Sequence, residues 1–156
     1  MIEFTIPGRG RMRIKNIVFD VNGTIAIDGK IDEKIKKKLE KLAQKVTVIL
    51  LTADTYGTIE KEMGKTGIKI QKISSPGEVE EKEDFIKKLG EEQTIAIGNG
   101  ENDRLMLKRA ILGICVVDKE GASSKAVTNS DIVVYGRETV FELIDNPQRI
   151  IASLRS

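Results

Sequence analysis

Histidine is absent from this chain. That excludes Ser-His and Cys-His nucleophilic catalysis, imidazole metal ligands and a histidine proton shuttle. Acid–base chemistry must fall to carboxylates, Lys, Tyr or Cys. Cysteine occurs once, at Cys115, so no intrachain disulfide is expected. Its apolar setting, Ile114-Cys115-Val116-Val117, suits a small core residue. No apolar run approaches the length of a membrane span, and no signal peptide is recognisable, so a cytoplasmic protein is expected. An excess of one charge sign is also missing. The 26 basic and 24 acidic residues leave a net charge of +2. Such a balance provides no general field for nucleic acid or a membrane surface. The densest basic stretch, Lys34 to Lys41, reads as the solvated face of a helix.

What is present fits one soluble domain. The 156 residues suffice for one core, with 40% apolar and 32% charged residues. Residues 1–15 read as a β-hairpin turning at Pro7-Gly8-Arg9-Gly10, whose second arm could continue into the next strand. Ile17-Val18-Phe19 is an apolar run ending at Asp20, with the turn Val21-Asn22-Gly23-Thr24 directly after it. Residues 25–31, centred on Asp28-Gly29, read as a small hairpin lying above Asp20. Asp32 caps a helix to about Gln44.

Beyond that point strands and helices alternate. Strands are expected at 46–51, 68–73, 94–97, 113–117 and 132–134. Helices are expected at 56–65, 78–89, 102–110, 138–144 and 147–154. Residues 121–129 could be helix or loop. No repeat or linker interrupts the pattern. Alternation of this kind predicts an α/β fold with a parallel sheet covered by helices on both faces.

In such sheets ligands bind at the carboxyl ends of the strands. Asp20, Thr52 and the group Asn99, Asn102 and Asp103 stand at or just beyond three such ends. Lys82 lies in the helix before the third. Singly, each has an ordinary alternative: Asp20 as a turn residue, Thr52 or Asp103 at a helix start, Lys82 on a solvated face. Brought together, they offer a nucleophilic carboxylate, a hydroxyl, an ammonium and a second carboxylate. That set suits phosphoryl transfer, with Mg²⁺ held by oxygen ligands. Glycines 23, 98 and 100 would let the backbone approach a phosphate.

These stretches resemble, in order, the four motifs of the haloacid dehalogenase superfamily. Asp20-Val21-Asn22-Gly23-Thr24 is similar to the first, and Val46 to Thr52 to the second. Lys82 matches the third, and Gly98-Asn99-Gly100-Glu101-Asn102-Asp103 is similar to the fourth. The segments 113–117 and 130–134 extend the resemblance to the phosphorylation domain of P-type cation ATPases, and to the soluble branch of the superfamily related to them. The resemblance implies a three-layer α/β/α Rossmann-like fold with a small β-hairpin flap. It makes Asp20 the nucleophile and a Mg²⁺ ligand, with the Asn22 carbonyl and Asn99 as further ligands and Asp103 binding directly or through water. Thr52, Ala53, Gly23, Thr24 and Lys82 would hold the phosphoryl group, with Asn102 and Gly100 in support. The implied substrate is a phosphorylated small molecule or phosphoprotein.

Two positions depart from the superfamily pattern. Asn22 stands where an Asp usually serves as acid and base, and an amide cannot move a proton at neutral pH. Slow hydrolysis is therefore expected. Asn99 stands where a metal-binding Asp is usual, so weaker Mg²⁺ binding is expected. Thr52 follows Asp20 by 32 positions, and Lys82 follows Thr52 by 30. Each gap holds one helix and a connection, which leaves no room for a cap domain. The site should be open, admitting a bulky substrate or closed by a neighbouring subunit. A non-catalytic phosphate- or partner-binding module is the alternative reading. A receiver-type signalling domain fits less well, because receivers place an acidic pair near the first strand and Asp20 has no acidic neighbour.

Overall fold

The computed structural model describes residues 1–53 and 57–156. Strands β1 (Ile2–Ile6) and β2 (Gly10–Ile14) form an antiparallel hairpin, with Ile2 opposite Ile14 and Ile6 opposite Gly10. Period-2 alternation turns Ile6, Met12 and Ile14 inward, where they are buried. The second arm does not run on as one strand. At Lys15 the N–H donates to the Gln93 carbonyl and the C=O accepts from the Thr47 N–H. The chain then enters a different sheet as β3 (Asn16–Asp20).

The remaining elements alternate. They are α1 (Glu33–Ala43), β4 (Thr47–Thr52), α2 (Thr58–Met63), β5 (Lys69–Lys72), α3 (Glu78–Leu89) and β6 (Thr94–Gly98). Then come α4 (Arg104–Arg109), β7 (Leu112–Val117), α5 (Ser124–Thr128), β8 (Ile132–Tyr135), α6 (Arg137–Asp145) and α7 (Pro147–Leu154). Short 3₁₀ turns at Glu91–Gln93 and Glu101–Asp103 lead into β6 and α4. The start expected for the second helix, Tyr56, lies outside the described residues. Within residues 121–129 the short helix α5 forms over Ser124–Thr128, with the residues around it in loop. Its N-cap, Ser123, accepts a 3.0 Å bond from the Ala126 N–H.

Asp32 caps α1 by accepting a 2.8 Å bond from the Ile35 N–H. Ile35, Leu39 and Leu42 form its buried stripe, while Lys34, Lys37 and Lys41 remain exposed. The basic stretch is thus the outer face of an amphipathic helix.

Strand order is β5-β4-β3-β6-β7-β8, with every pair parallel. Connections run outward from β3 through β4 to β5, then cross back to β6 and continue outward to β8. The order therefore reverses between β3 and β6, which opens a crevice at their carboxyl ends. The central strands β4, β3, β6 and β7 are buried on both faces, as a parallel sheet requires, while the edge strands β5 and β8 are partly exposed. Ile17, Phe19, Leu50, Ile97 and Ile114 face the layer of α1, α6 and α7, where Phe19 stacks on Phe141 at 5.7 Å. Val18, Ile49, Leu51, Ala96 and Cys115 face Ile86 of α3, Met106 and Leu107 of α4 and Ala126 of α5. The result is a three-layer α/β/α sandwich.

After β3 the chain turns tightly. The Gly23 N–H donates to the Ala26 carbonyl, and the Ala26 N–H to the Val21 carbonyl. Residues 25–31 form a minimal hairpin, with one antiparallel bridge between Ile27 and Lys30 around Asp28-Gly29. Ile25 and Ala26 pack down into the core. Among the described residues no helix is long and apolar enough to cross a membrane.

Candidate active site

Asp20 is the last residue of β3 and lies two residues after Val18, so its side chain projects toward the α3 layer. On α3, Lys82 is one turn before buried Ile86 and faces the same sheet. The two meet: Lys82 Nζ donates to Asp20 Oδ1 at 2.8 Å and to Asp103 Oδ1 at 2.8 Å. Lys82 is only 2% exposed. A lysine this buried needs charged partners to offset its lost hydration. It has two.

Asp103 is fully buried in the 3₁₀ turn that opens α4. Its Oδ2 accepts from the Asn99 N–H at 3.0 Å and the Gly100 N–H at 2.9 Å. Both oxygens are thus engaged, and Asp103 stands behind the pocket as the anchor of Lys82 and of the loop after β6. Gly98 is needed here, because a Cβ would meet the Asp103 side chain at 2.5–2.8 Å.

Thr24 is fully buried, with Oγ1 3.3 Å from Asp20 Oδ2 and 3.2 Å from Asn99 Oδ1. A hydroxyl has one proton and can donate to one of these at a time. When it serves Asp20, the Asn99 oxygen keeps an unused lone pair. Asn99 Nδ2 donates to the Gly121 carbonyl at 3.2 Å, which orients the amide. Gly23 has φ +78°, and a Cβ there would collide with the Asn99 amide.

These groups surround a pocket of about 180 Å³. Its walls are Asp20, Val21 and Asn22 from the end of β3; Leu51, Thr52 and Ala53 from the end of β4; Glu78 and Lys82 from α3; and Asn99, Gly100 and Asn102 from the loop after β6. Asn22 and Ala53 are exposed at the mouth, while Thr52 is 4% exposed. Gly23, Thr24 and Asp103 support the wall from behind. No residue of the 25–31 turn lines this pocket. Glu78 does, and sequence reasoning missed it. Its spacing of four residues from Lys82 was the available signal, since that spacing puts both on one helix face. A larger groove of about 590 Å³ runs along α3 beside β5 and is lined by Gln71, Ile73, Phe85 and Leu89 among others. None of the candidate site residues lines it.

The charges in the smaller pocket do not balance. Lys82 brings one positive charge against the two carboxylates it bonds, Asp20 and Asp103, with Glu78 a third on the wall. Burial, and then the charge of Asp103, push the Asp20 carboxyl up to about 7 despite its bond to Lys82. Burial alone would pull the Lys82 ammonium down, but Asp20 and Asp103 hold it above the ordinary lysine value. A lysine so paired stays protonated, and the surplus negative charge falls on Asp20. A small cation would neutralise it. Among the described residues no three Asp, Glu, His or Cys side chains cluster to hold a metal. Amide and carbonyl oxygens must complete any such site, and an all-oxygen set of this kind suits Mg²⁺.

No protein-family model matches the chain. It is 27% identical over 135 residues to the soluble P-type ATPase-like phosphatase of Methanocaldococcus jannaschii, covering 85% of this chain and 48% of that protein. The chain therefore spans about half the length of that relative. It is also 47% identical over 73 residues to an uncharacterized protein of the same organism, covering 47% of this chain and 78% of the other.

Solved structures agree over more of the fold. The 3-deoxy-D-manno-octulosonate 8-phosphate phosphatase of Moraxella catarrhalis, in complex with magnesium, phosphate and KDO, superposes with a TM-score of 0.67 at 21% identity. That match covers 91% of this chain and 94% of the other. The cobalt-bound phosphatase of the same specificity from Haemophilus influenzae gives 0.67 at 19%, covering 92% and 94%. A Legionella pneumophila structure assigned to the HAD superfamily, subfamily III A, gives 0.65 at 21%, covering 90% and 87%. At such identities the likeness establishes the fold. The chain is a protein of the haloacid dehalogenase fold, without a cap domain among its described residues, that resembles the soluble P-type-ATPase-like branch of that superfamily.

Proposed function

We propose that this chain is a Mg²⁺-dependent phosphohydrolase or phosphotransferase that works through an aspartyl-phosphate on Asp20. The observation that carries the reading is the buried Lys82 bridging Asp20 and Asp103 beside a pocket walled by Thr52. An Asp20 oxygen attacks phosphorus, and the bond from phosphorus to the leaving oxygen breaks. Lys82 restrains Asp20 in line and meets the incoming phosphoryl oxygens. Thr52, Ala53, Gly23 and Thr24 hold those oxygens from the β4 and β3 ends.

Asp20, the Asn22 carbonyl and the Asn99 amide oxygen would hold Mg²⁺, with Asp103 adding negative charge behind them. When bound, the metal neutralises charge that develops on the transferred group. Asn22 cannot protonate the leaving oxygen or activate water, and that loss is worth about 10²–10⁴-fold in rate. Hydrolysis of the phosphoenzyme is then the slow step.

The substrate in this reading is a phosphorylated small molecule or a phosphoprotein, admitted because the pocket is open. A neighbouring subunit closing the mouth, a cytoplasmic location and no engagement of nucleic acid or membrane belong to the same reading. Labelled acetyl phosphate with Mg²⁺, followed by peptide mapping, tests the central step. Label is expected on Asp20 and should be lost in Asp20→Asn. Phosphate or beryllofluoride binding with no label and no turnover would favour the non-catalytic module instead.

A further inference from the structure

Glu78 begins α3 four residues before Lys82, so the two side chains share a helix face. It lines the same pocket as Asp20, and its Oε2 accepts a 2.6 Å hydrogen bond from Asn102 Nδ2. That bond ties a charged side chain to the loop after β6 and fixes its direction. Among the described lining residues, Asp20 and Glu78 are the only carboxylates.

Breakdown of an aspartyl-phosphate needs a group to take a proton from the attacking water. Asn22 has no basic lone pair. Lys82 is a hydrogen-bond donor, bonded to Asp103 and, once Asp20 is esterified, facing the phosphoryl oxygens. Asp103 lies behind Lys82 with both oxygens engaged. Asp20 is itself esterified at that stage. Among the described residues that line the pocket, Glu78 is what remains. We infer that Glu78 is the general base that activates water against the Asp20 phosphoenzyme, taking the part that Asn22 cannot.

The inference rests on the reading of Asp20 as nucleophile. In the step, the water oxygen bonds to phosphorus while its proton passes to the Glu78 carboxylate. The bond from phosphorus to Asp20 breaks, and its electron pair restores the Asp20 carboxylate. Inorganic phosphate leaves, and Glu78 returns its proton to solvent. Asn102 is a positioning residue, holding one Glu78 oxygen while the other accepts the proton.

The test compares Glu78→Gln with the wild type in a pulse–chase of labelled acetyl phosphate at saturating Mg²⁺. Gln keeps an oxygen to accept from Asn102 but cannot take a proton. Decay of the label should slow by about 10²-fold or more, so the fraction of protein labelled at steady state rises. General damage to the pocket would lower that fraction. Formate should partly restore decay in Glu78→Ala. Wild-type decay in Glu78→Gln would overturn the inference while leaving Asp20 as nucleophile. A raised half-saturating Mg²⁺ with unchanged decay at saturation would also overturn it, making Glu78 a metal ligand. Absence of label in the wild type would remove the Asp20 reading, and Glu78 with it.

Discussion

Replacing Lys82 by Met keeps most of the apolar stem and removes the ammonium that two carboxylates share. Asp20 and Asp103 each place an oxygen 2.8 Å from Nζ, so those oxygens stand within about 6 Å of each other. At an effective dielectric near 20, two like charges at that spacing repel by about 3 kcal/mol. Mutational experience with buried pairs agrees, since removing one partner costs about 3–5 kcal/mol. For a domain of this size each kcal/mol moves Tm by about 2–4 °C, so a fall of about 6–20 °C is expected at pH 8 in EDTA. At pH 5 the loss should shrink, because Asp20, already pushed up to about 7, takes up a proton and ends the repulsion. The assay is thermal or urea unfolding at both pH values. Lys87→Met serves as the control. Lys87 pairs with Glu83 and Asp84 at the exposed surface, and its loss should cost no more than about 0.5 kcal/mol. A Lys82→Met protein as stable as the wild type at pH 8 would refute the buried triad. An equal loss at both pH values would assign the effect to packing rather than charge.

The metal-free wild type should itself respond to pH. Asp20 has a folded value raised from 3.8 to about 7, so the folded state binds its proton more tightly than the unfolded chain. The associated stability is present below 3.8 and is lost as pH rises through 7. Urea midpoints in EDTA should therefore fall between pH 5 and pH 8, and saturating Mg²⁺ should flatten that slope. Asn22→Asp should raise turnover of an activated aryl phosphate by about 10²-fold in a Glu78→Gln background, where it supplies the missing base; unchanged turnover in folded protein would contradict the role given to position 22. Asn99→Asp should tighten Mg²⁺ binding by calorimetry while lowering stability in EDTA. Gly98→Ala should lose labelling and stability together, because the new methyl meets the buried Asp103 side chain at 2.5–2.8 Å; normal activity would mean that Asp103 can move without consequence.

Much of the frame could be read locally. The apolar run ending at Asp20 and the alternation of strands and helices depend on periodicity, and each strand end fell close to its expected place. Asp32 was legible as a cap because its partner, the Ile35 N–H, is three residues away. The site resisted such reading because its bonds span the chain. Lys82 is 62 residues from Asp20, and nothing in its own helix separates it from neighbouring lysines except the motif it completes. Glu78 was passed over for a related reason: its partner Asn102 is 24 residues away, across a strand. At 25–31 the Asp-Gly centre marks the tight hairpin that forms, and Ile25 and Ala26 anchor it in the core.

The two amides that depart from the superfamily pattern now have different physical meanings. Asn22 is exposed at the mouth, and nothing in the fold requires an amide there. Its consequence is chemical, the loss of a proton carrier. Asn99 is built into the structure on both sides of its side chain. Its nitrogen donates to the Gly121 carbonyl, and its oxygen shares the Thr24 hydroxyl proton with Asp20. A carboxylate has no proton to give Gly121, and would set an anion against a carbonyl oxygen at about that 3.2 Å spacing. It would also add a fourth carboxylate to a pocket where one ammonium already stands among Asp20, Asp103 and Glu78. The amide lets the loop after β6 close on Thr24 and Gly23 without a cation present. Weaker metal binding follows from that same choice, because an amide brings the metal an oxygen but no charge.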